Sequence, residues 1–182
     1  MHPDCERILI PEVEIRAKVV ELGRRISKDY AGKELLMIGI LKGAMIFLAD
    51  LVREISVPTR YDFMAVSSYG ASSKSSGKVR ILKDLACGVE GRHIIIVEDI
   101  VDTGLTLNYL AENLNSRDPA SVKICTLLDK PSRRIKPVEI CYKGFVIPDE
   151  FVVGYGLDYS ERYRNLPCIM VLNPKVYMNK GE

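Results

Sequence analysis

The residues best suited to chemistry concentrate in one stretch of the chain, residues 93–107, which reads HIIIVEDIVDTGLTL. Two adjacent acids, Glu98 and Asp99, end a β-branched apolar run at residues 94–97, and Asp102 follows them. In an open parallel sheet, ligands bind where the carboxyl end of a strand passes to a helix N-terminus, whose free N–H groups attract anions. The pattern predicts a site for a phosphorylated sugar with a divalent cation at the acids. Small and hydroxyl-bearing residues then open a helix-like segment at residues 107–114: Thr103, Gly104, Leu105 and Thr106.

A second strand-to-helix junction occurs earlier in the chain. The continuous apolar run at residues 35–41 predicts a buried strand, and residues 44–55 predict a helix. Lys42 and Gly43 lie between them. Gly43 would let a ligand approach the backbone closely, and Lys42 would then direct its charge at a phosphate. A simple surface lysine is the alternative at this position.

The composition changes sharply after a third predicted strand at residues 59–66. Residues 67–78, SSYGASSKSSGK, are rich in Ser and Gly and precede a short strand at residues 79–82. A surface loop is the usual outcome for such a composition, whereas long loops inside compact domains often act as lids. The segment is no nucleotide P-loop, because Val79 stands where Ser or Thr is required.

The remaining periodicity completes an α/β pattern with a mostly parallel sheet in one domain spanning residues 1–182. We expect a first helix over residues 11–31 and an exposed turn over residues 158–164. Arg133 and Arg134 are expected at the surface, with a contribution of one of them to phosphate binding as the alternative. Further strands are predicted over residues 121–128, 138–142 and 169–172, and residues 151–153 form an apolar trio between Glu150 and Gly154.

Composition excludes several classes of protein. The net charge is +2 in 182 residues, and the basic residues are scattered, which argues against a nucleic-acid partner. Five dispersed cysteines and two histidines favour reduced thiols over a disulfide or zinc framework. Charged residues near the N-terminus argue against a signal peptide, and no apolar run is long enough to span a membrane. We expect a soluble cytoplasmic protein.

The central stretch resembles a known motif. Residues 97–106, VEDIVDTGLT, are similar to the phosphoribosyl-pyrophosphate motif of type I purine phosphoribosyltransferases. Other matches narrow the resemblance to the bacterial hypoxanthine-guanine branch of this family, over nearly the whole chain. These are Leu41-Lys42-Gly43, Ser68-Tyr69, Lys130, and residues 151–164 with their FVVGY opening. The resemblance implies a twisted, mostly parallel sheet flanked by helices, with a small hood formed by the chain ends and a mobile hairpin loop at about residues 67–78.

The resemblance also implies roles for the central residues. The backbone and hydroxyls of residues 102–106 would wrap the 5′-phosphate of phosphoribosyl pyrophosphate. Glu98 and Asp99 would face the ribose hydroxyls and a hydrated Mg²⁺, with Asp158 near a second Mg²⁺. Asp102 would be the general base that takes a proton from the purine. Leu105 departs from relatives that carry lysine there, which affects fine affinity only.

The other matched residues would complete the substrate site. Lys42 and Arg164 would meet the pyrophosphate, and the peptide between Leu41 and Lys42 is often cis in this family. Lys130 would bind the 6-oxo group of the purine, Phe151 would stack on the base, and Val152 would offer backbone contacts. Ser68 and Tyr69 would belong to a lid that excludes water. The implied product is IMP or GMP, and a homodimer or homotetramer is expected.

A regulator of the same fold is the competing hypothesis. Such a protein would bind phosphoribosyl pyrophosphate or RNA through the same central motif without purine salvage activity. The presence of Lys42, Lys130 and Phe151 argues against it, as does the absence of a basic stripe in the sequence. The sequence leaves open the preference between hypoxanthine and guanine and the use of xanthine.

Overall fold

The computed structural model describes residues 1–68 and 79–178. Most of the segment predicted as a lid, including Tyr69, therefore lies outside the described residues. Nine strands, four α-helices and one 3₁₀ turn follow each other along the described chain. They are β1 (Cys5–Ile10), α1 (Glu12–Asp29), β2 (Leu35–Leu41), α2 (Met45–Arg53), β3 (Thr59–Ser68), β4 (Val79–Lys83), β5 (His93–Val101), α3 (Leu105–Asn115), β6 (Ser121–Asp129), the 3₁₀ turn (Pro131–Arg133), β7 (Tyr142–Val146), β8 (Val152–Val153), β9 (Ile169–Leu172) and α4 (Pro174–Met178).

The main sheet has six strands in the order β4-β3-β2-β5-β6-β7. All neighbouring strands are parallel except β3 and β4, which form an antiparallel pair. The parallel strands run outward in both directions from β2 and β5, so the strand order reverses between these two. Doubly wound sheets bind their ligands in the crevice at this point, outside the carboxyl ends of the strands. Both predicted junctions, after Leu41 and after Val101, therefore lie at one edge of the sheet.

Helices cover both faces of this sheet, which explains why β2 and β5 read as continuous apolar runs. Apolar side chains of α1 and α2 pack with Met37, Ile95 and Val97 in one core cluster. Those of α3 pack on the opposite face in a second cluster, with Ile38 and Ile96. No helix among residues 1–68 and 79–178 is long and apolar enough to cross a membrane.

A second, antiparallel sheet brings the two ends of the chain together in the order β1-β9-β8. The sequence did not predict β1, because its inner residues Glu6 and Arg7 are exposed and interrupt the apolar pattern. The predicted fold class is confirmed: an α/β architecture with a mostly parallel sheet and flanking helices. The role of the smaller sheet as a hood over the site stays a prediction.

Three sequence predictions need correction. Strand β5 does not end at the acids but continues through Glu98 and Asp99 to Val101, pairing with β6 throughout. The strand predicted at residues 138–142 is wrong, and β7 lies at Tyr142–Val146 instead, because Ile135 and Lys136 hydrogen-bond to the Thr103 carbonyl and pairing with β6 begins only at Tyr142. The turn at residues 158–164 is not uniformly exposed, because Tyr163 is buried against the second sheet.

Candidate active site

A cavity of about 320 Å³ lies at the carboxyl ends of β2 and β5, where the two strand-to-helix junctions meet. It collects most of the predicted site residues around one space. Two buried polar atoms without a hydrogen bond in the described part of the chain, Asp102 Oδ1 and Arg164 Nε, belong to residues that line it. The predicted residues in its wall are Lys42, Gly43, Glu98, Asp99, Asp102, Thr103, Gly104, Thr106, Asp158 and Arg164.

Gly43 lets the two junctions approach each other. A Cβ atom on this residue would lie 1.8 Å from Oδ2 of Asp99, so any side chain would displace the carboxylate. The predicted cis peptide is present between Leu41 and Lys42. The end of β2 therefore packs directly on the acidic end of β5.

Glu98 and Asp99 form a buried acidic pair, with 8% and 9% of their surfaces exposed. Burial raises the pKa of Glu98 well above its usual value, and the charge of Asp99 raises it further. Burial also raises the pKa of Asp99, although hydrogen bonds from Glu98 and the Ile100 N–H oppose the shift. Two carboxylates in such a place favour a bound cation once both are ionised.

The loop after β5 turns sharply into α3. Gly104 has φ +80°, a left-handed conformation that glycine adopts without strain. Thr103, Gly104 and Thr106 line the cavity, whereas Leu105 does not. The structure thus places the start of α3, with its free N–H groups, beside the acidic pair. We call residues 102–106 the phosphate loop.

Asp102 is the first residue of the phosphate loop, three positions after Asp99. Its carboxylate Oδ1 accepts no hydrogen bond from the described residues, and the Arg133 Nε lies 3.4 Å away. The Asp102 side chain is 42% exposed. Part of the Asp102 side chain is therefore accessible from the cavity that it lines, although Oδ1 itself is buried.

The two predicted pyrophosphate ligands are both engaged with carboxylates. The Lys42 Nζ donates to Glu161 Oε2 at 2.9 Å. Arg164 lies 2.8 Å from Asp158 Oδ1 and 3.6 Å from Glu161 Oε1, and it donates to the Gly156 carbonyl at 2.7 Å. The hydrogen bond from Lys42 lowers the pKa of Glu161, which stays ionised. Sequence reasoning missed Glu161, because a charged residue in a polar turn carries no distinguishing signal.

The residues predicted to bind the purine, Lys130, Phe151 and Val152, are not in the wall of this cavity. Lys130 is buried, and its Nζ donates to the Glu150 carbonyl at 2.8 Å and lies 3.7 Å from Asp149. Its backbone N–H donates to the Val101 carbonyl at 2.9 Å, which ties it to the end of β5. Val152 is buried in β8.

Phe151 is 39% exposed and is not a core residue. Its ring stacks on that of Tyr177 from α4, with centroids 4.9 Å apart and an angle of 25° between planes. Tyr159 meets Phe151 edge-on at 5.6 Å. Sequence reasoning missed Tyr177, because a pattern of local residues does not show that α4 contacts residue 151.

Arg134 does not lie at the surface, contrary to the sequence prediction. Its side chain is 18% exposed and pairs with the carboxylate of Asp129, which is 3% exposed. Sequence reasoning also missed Asp129, because an acid directly after a buried strand reads as an ordinary strand end.

A larger cleft, of about 520 Å³, lies between α1 and α2. Its polar lining includes Asp50, which accepts a hydrogen bond from the Tyr155 hydroxyl at 2.6 Å. None of the predicted site residues lines it. The smaller cavity at the strand ends is therefore the candidate site.

Comparison with known proteins agrees with this geometry. The family model described as "Phosphoribosyl transferase domain" matches residues 12–160. The chain therefore belongs to the phosphoribosyltransferase family. It is 55% identical over 177 residues to the hypoxanthine-guanine phosphoribosyltransferase of Bacillus subtilis, covering 97% of this chain and 98% of the relative. The Mycobacterium tuberculosis enzyme of the same name is 54% identical over 180 residues, covering 96% of this chain and 89% of the relative.

A solved structure extends the likeness to three dimensions. The crystal structure of a hypoxanthine phosphoribosyltransferase from Staphylococcus aureus superposes with a TM-score of 0.94 and is 50% identical. The match covers 97% of this chain and 96% of the other. The predicted resemblance to the hypoxanthine-guanine branch, and the enzyme class that it implies, are confirmed.

Proposed function

We propose that this protein transfers the 5-phosphoribosyl group from phosphoribosyl pyrophosphate to hypoxanthine or guanine, giving IMP or GMP and pyrophosphate. One observation carries the proposal. A single cavity joins the acidic end of β5 and the phosphate loop to Lys42 and Arg164. An activated sugar phosphate needs three kinds of group together. These are hydrogen-bond donors for the 5′-phosphate, carboxylate oxygens for the ribose hydroxyls and a metal ion, and cationic side chains for the leaving group. This reaction is a purine-salvage step, and the relatives named hypoxanthine-guanine phosphoribosyltransferase support it.

The 5′-phosphate binds at the start of α3. The N–H groups at a helix N-terminus are free to donate, and the helix dipole favours an anion there. Thr103 and Thr106 add hydroxyl groups in the cavity wall, and Gly104 keeps the backbone accessible. The side chain of Leu105 takes no part, because it lies outside this wall.

Mg²⁺ fits the acids in the cavity. Phosphoribosyltransferases use Mg²⁺ in general, and it prefers carboxylate oxygens while keeping waters and substrate oxygens among its ligands. No three His, Cys, Asp or Glu side chains of the described residues are grouped closely enough to hold a metal by themselves, which suits an ion held mainly by substrate and water. Glu98 and Asp99 would hold it at the ribose and Asp158 at the pyrophosphate. Bound Mg²⁺ would supply positive charge for the leaving pyrophosphate.

The cations of the site stabilise the leaving group. As the bond between C1′ of the ribose and the pyrophosphate oxygen breaks, negative charge develops on the pyrophosphate. Lys42 and Arg164 face this charge once they exchange their carboxylate partners for it. The new bond forms between C1′ and a purine ring nitrogen, and Asp102 accepts the proton that this nitrogen loses.

Selection of the purine falls to the residues beside the cavity. The ammonium of Lys130 donates to the 6-oxo group of hypoxanthine or guanine, whereas the 6-amino group of adenine offers no acceptor there. Phe151 stacks on the base, and the backbone of Val152 meets its edge. The predicted lid, with Ser68 and Tyr69, lies at or beyond the limit of the described residues and stays a prediction.

The assay combines the protein with Mg²⁺, phosphoribosyl pyrophosphate and each of adenine, hypoxanthine, guanine and xanthine, and measures nucleotide formation. We expect IMP from hypoxanthine and GMP from guanine, with little product from adenine. A protein that forms neither IMP nor GMP, but retains RNA in a gel shift at moderate salt, would be the regulator instead. Product with adenine alone would overturn the assignment of Lys130 and the substrate class.

We also infer that the enzyme is a cytoplasmic homodimer or homotetramer. Its cysteines are all free, which suits a reducing compartment. Light scattering after size exclusion measures the mass of the particle. A monomer at micromolar concentration would contradict the expected self-association.

A further inference from the structure

The chain that follows β6 packs against the outer side of the phosphate loop. We call residues 129–136 the backing segment. Arg134 donates through its Nε to the Asp102 carbonyl at 3.0 Å and through Nη2 to the Val101 carbonyl at 3.3 Å. One guanidinium thus holds two successive backbone carbonyls at the start of the loop.

Asp129 holds Arg134 in place. Its carboxylate is buried, accepts a hydrogen bond from Arg134 and lies 2.6 Å from the Lys143 Nζ. Because a buried carboxylate without cationic partners costs free energy, breaking the ion pair between Asp129 and Arg134 would be unfavourable. The planar guanidinium presents donors on separate nitrogens in a fixed arrangement, whereas lysine would have to reach the carboxylate and both carbonyls from one nitrogen.

Backbone contacts extend this support by one residue. The Thr103 carbonyl accepts from the N–H groups of Ile135 and Lys136, at 2.9 and 3.0 Å. A Cβ atom on Gly104 would lie 2.4 Å from the Lys136 carbonyl oxygen. The loop and the backing segment are therefore in direct contact, with no room between them for a side chain.

These carbonyl contacts also determine where the N–H groups of the loop point, because each peptide unit is planar. In a trans peptide, the carbonyl of one residue and the N–H of the next point in opposite directions. The Asp102 and Thr103 carbonyls face the backing segment, so the N–H groups of Thr103 and Gly104 face away from it. Thr103 and Gly104 line the cavity on that side.

We infer that Arg134, held by Asp129, is a positioning residue that fixes the phosphate loop in its anion-binding conformation before the ligand arrives. Arg134 does not line the cavity and acts only through the loop. The inference rests on the proposed function, because it assumes that this loop binds the 5′-phosphate. It predicts that loss of Arg134 weakens binding of the phosphate specifically, and not of the base or the ribose.

Calorimetry with GMP and with guanosine separates these contributions. For the wild type we expect GMP to bind far more tightly than guanosine. Arg134→Ala should weaken GMP binding by roughly ten- to a hundredfold, as expected for lost hydrogen bonds to a charged group, while guanosine binding stays unchanged. Arg134→Lys keeps a charge for Asp129 but not the paired donors, and it should lose most of the same preference. Because it preserves the ion pair, it provides a folded variant if the alanine protein fails to fold.

Arg117→Ala is the matched control. Arg117 also pairs with a single aspartate, Asp84, through two contacts of 2.9 Å, beyond the far end of α3. Its removal should leave the ratio of the GMP and guanosine affinities unchanged. An unchanged ratio in both Arg134 variants would overturn the inference, as would an equal loss of GMP and guanosine affinity. A wild-type protein without any preference for GMP over guanosine would instead overturn the proposed function.

Discussion

The two halves of the site differ in what their ligand-directed groups contact before any ligand binds. In the phosphate half, the carbonyls of Val101, Asp102 and Thr103 are held from behind by Arg134 and the backing segment. In the pyrophosphate half, Lys42 and Arg164 are paired with carboxylates of the same chain. In the phosphate half, the contacts therefore hold the backbone through its carbonyls and not through its ligand-directed N–H groups. In the pyrophosphate half, the cationic side chains themselves are already paired.

The free-energy cost of binding therefore differs between the 5′-phosphate and the pyrophosphate. A loop whose orientation is already fixed loses little conformational freedom when the phosphate arrives. A cation in an ion pair must first exchange its partner for the ligand, which lowers the apparent affinity but lets the product leave. We therefore expect the 5′-phosphate to anchor the substrate and the pyrophosphate half to change on each turnover.

Asp102→Asn should have the largest effect, because the residue lies where the two halves meet. The amide keeps the size of the side chain but cannot accept the purine proton. We expect turnover to fall by about 10²- to 10⁴-fold, while the affinity for phosphoribosyl pyrophosphate changes little. Stopped-flow turnover and equilibrium binding measure the two quantities. Asp118→Asn, at an exposed residue outside the lining of the cavity, is the control, and comparable turnover in both variants would remove Asp102 as the base.

Lys130→Met should have the next largest effect. Methionine retains the apolar stem in this buried position but removes the charge that the 6-oxo group meets. We expect kcat/KM for hypoxanthine to fall roughly ten- to a hundredfold, with no comparable fall for adenine. The ratio of the two kcat/KM values is the measurement, with Lys28→Met on the exposed side of α1 as the control. An unchanged ratio would count against Lys130 as the group that selects the purine.

Tyr177→Ala tests the aromatic contact beside the base. Removing a stacked ring leaves Phe151 less well positioned, and aromatic pairs contribute about 0.5–1.5 kcal/mol beyond their buried area. KM for the purine should rise by roughly two- to tenfold at nearly constant affinity for phosphoribosyl pyrophosphate. Tyr177→Phe keeps the ring and should behave as the wild type. If both variants match the wild type, the stack does not position Phe151 for the base.

Glu161→Gln should have the smallest effect, and in the opposite direction. Lys42 and Glu161 are both largely exposed, and exposed ion pairs are weak. Freed from this carboxylate, Lys42 and Arg164 should bind pyrophosphate a few-fold more tightly, seen as stronger product inhibition. Glu90→Gln at an exposed site provides the comparison. Weaker pyrophosphate binding in Glu161→Gln would show that Glu161 assists the ligand rather than competing with it.

The sequence predicted which residues form the site better than it predicted the partners that these residues contact. The apolar runs of β2 and β5 and the motif after them placed Lys42, Glu98 and Asp102 at one edge of the sheet, because parallel strands share that edge. The partners of these residues could not be predicted, since Glu161 and Tyr177 reach the site through long-range folding. The same holds for Arg134, whose burial depends on a segment that lacks the predicted strand.

A crystal structure of the protein with GMP and magnesium pyrophosphate tests the difference between the two halves most directly. We expect the backbone of residues 101–106 and the contacts of Arg134 with the carbonyls of Val101 and Asp102 to match the ligand-free protein. In the other half, Lys42 should leave Glu161 and contact the pyrophosphate. A phosphate loop that rearranges around GMP, while Lys42 stays on Glu161, would contradict the account.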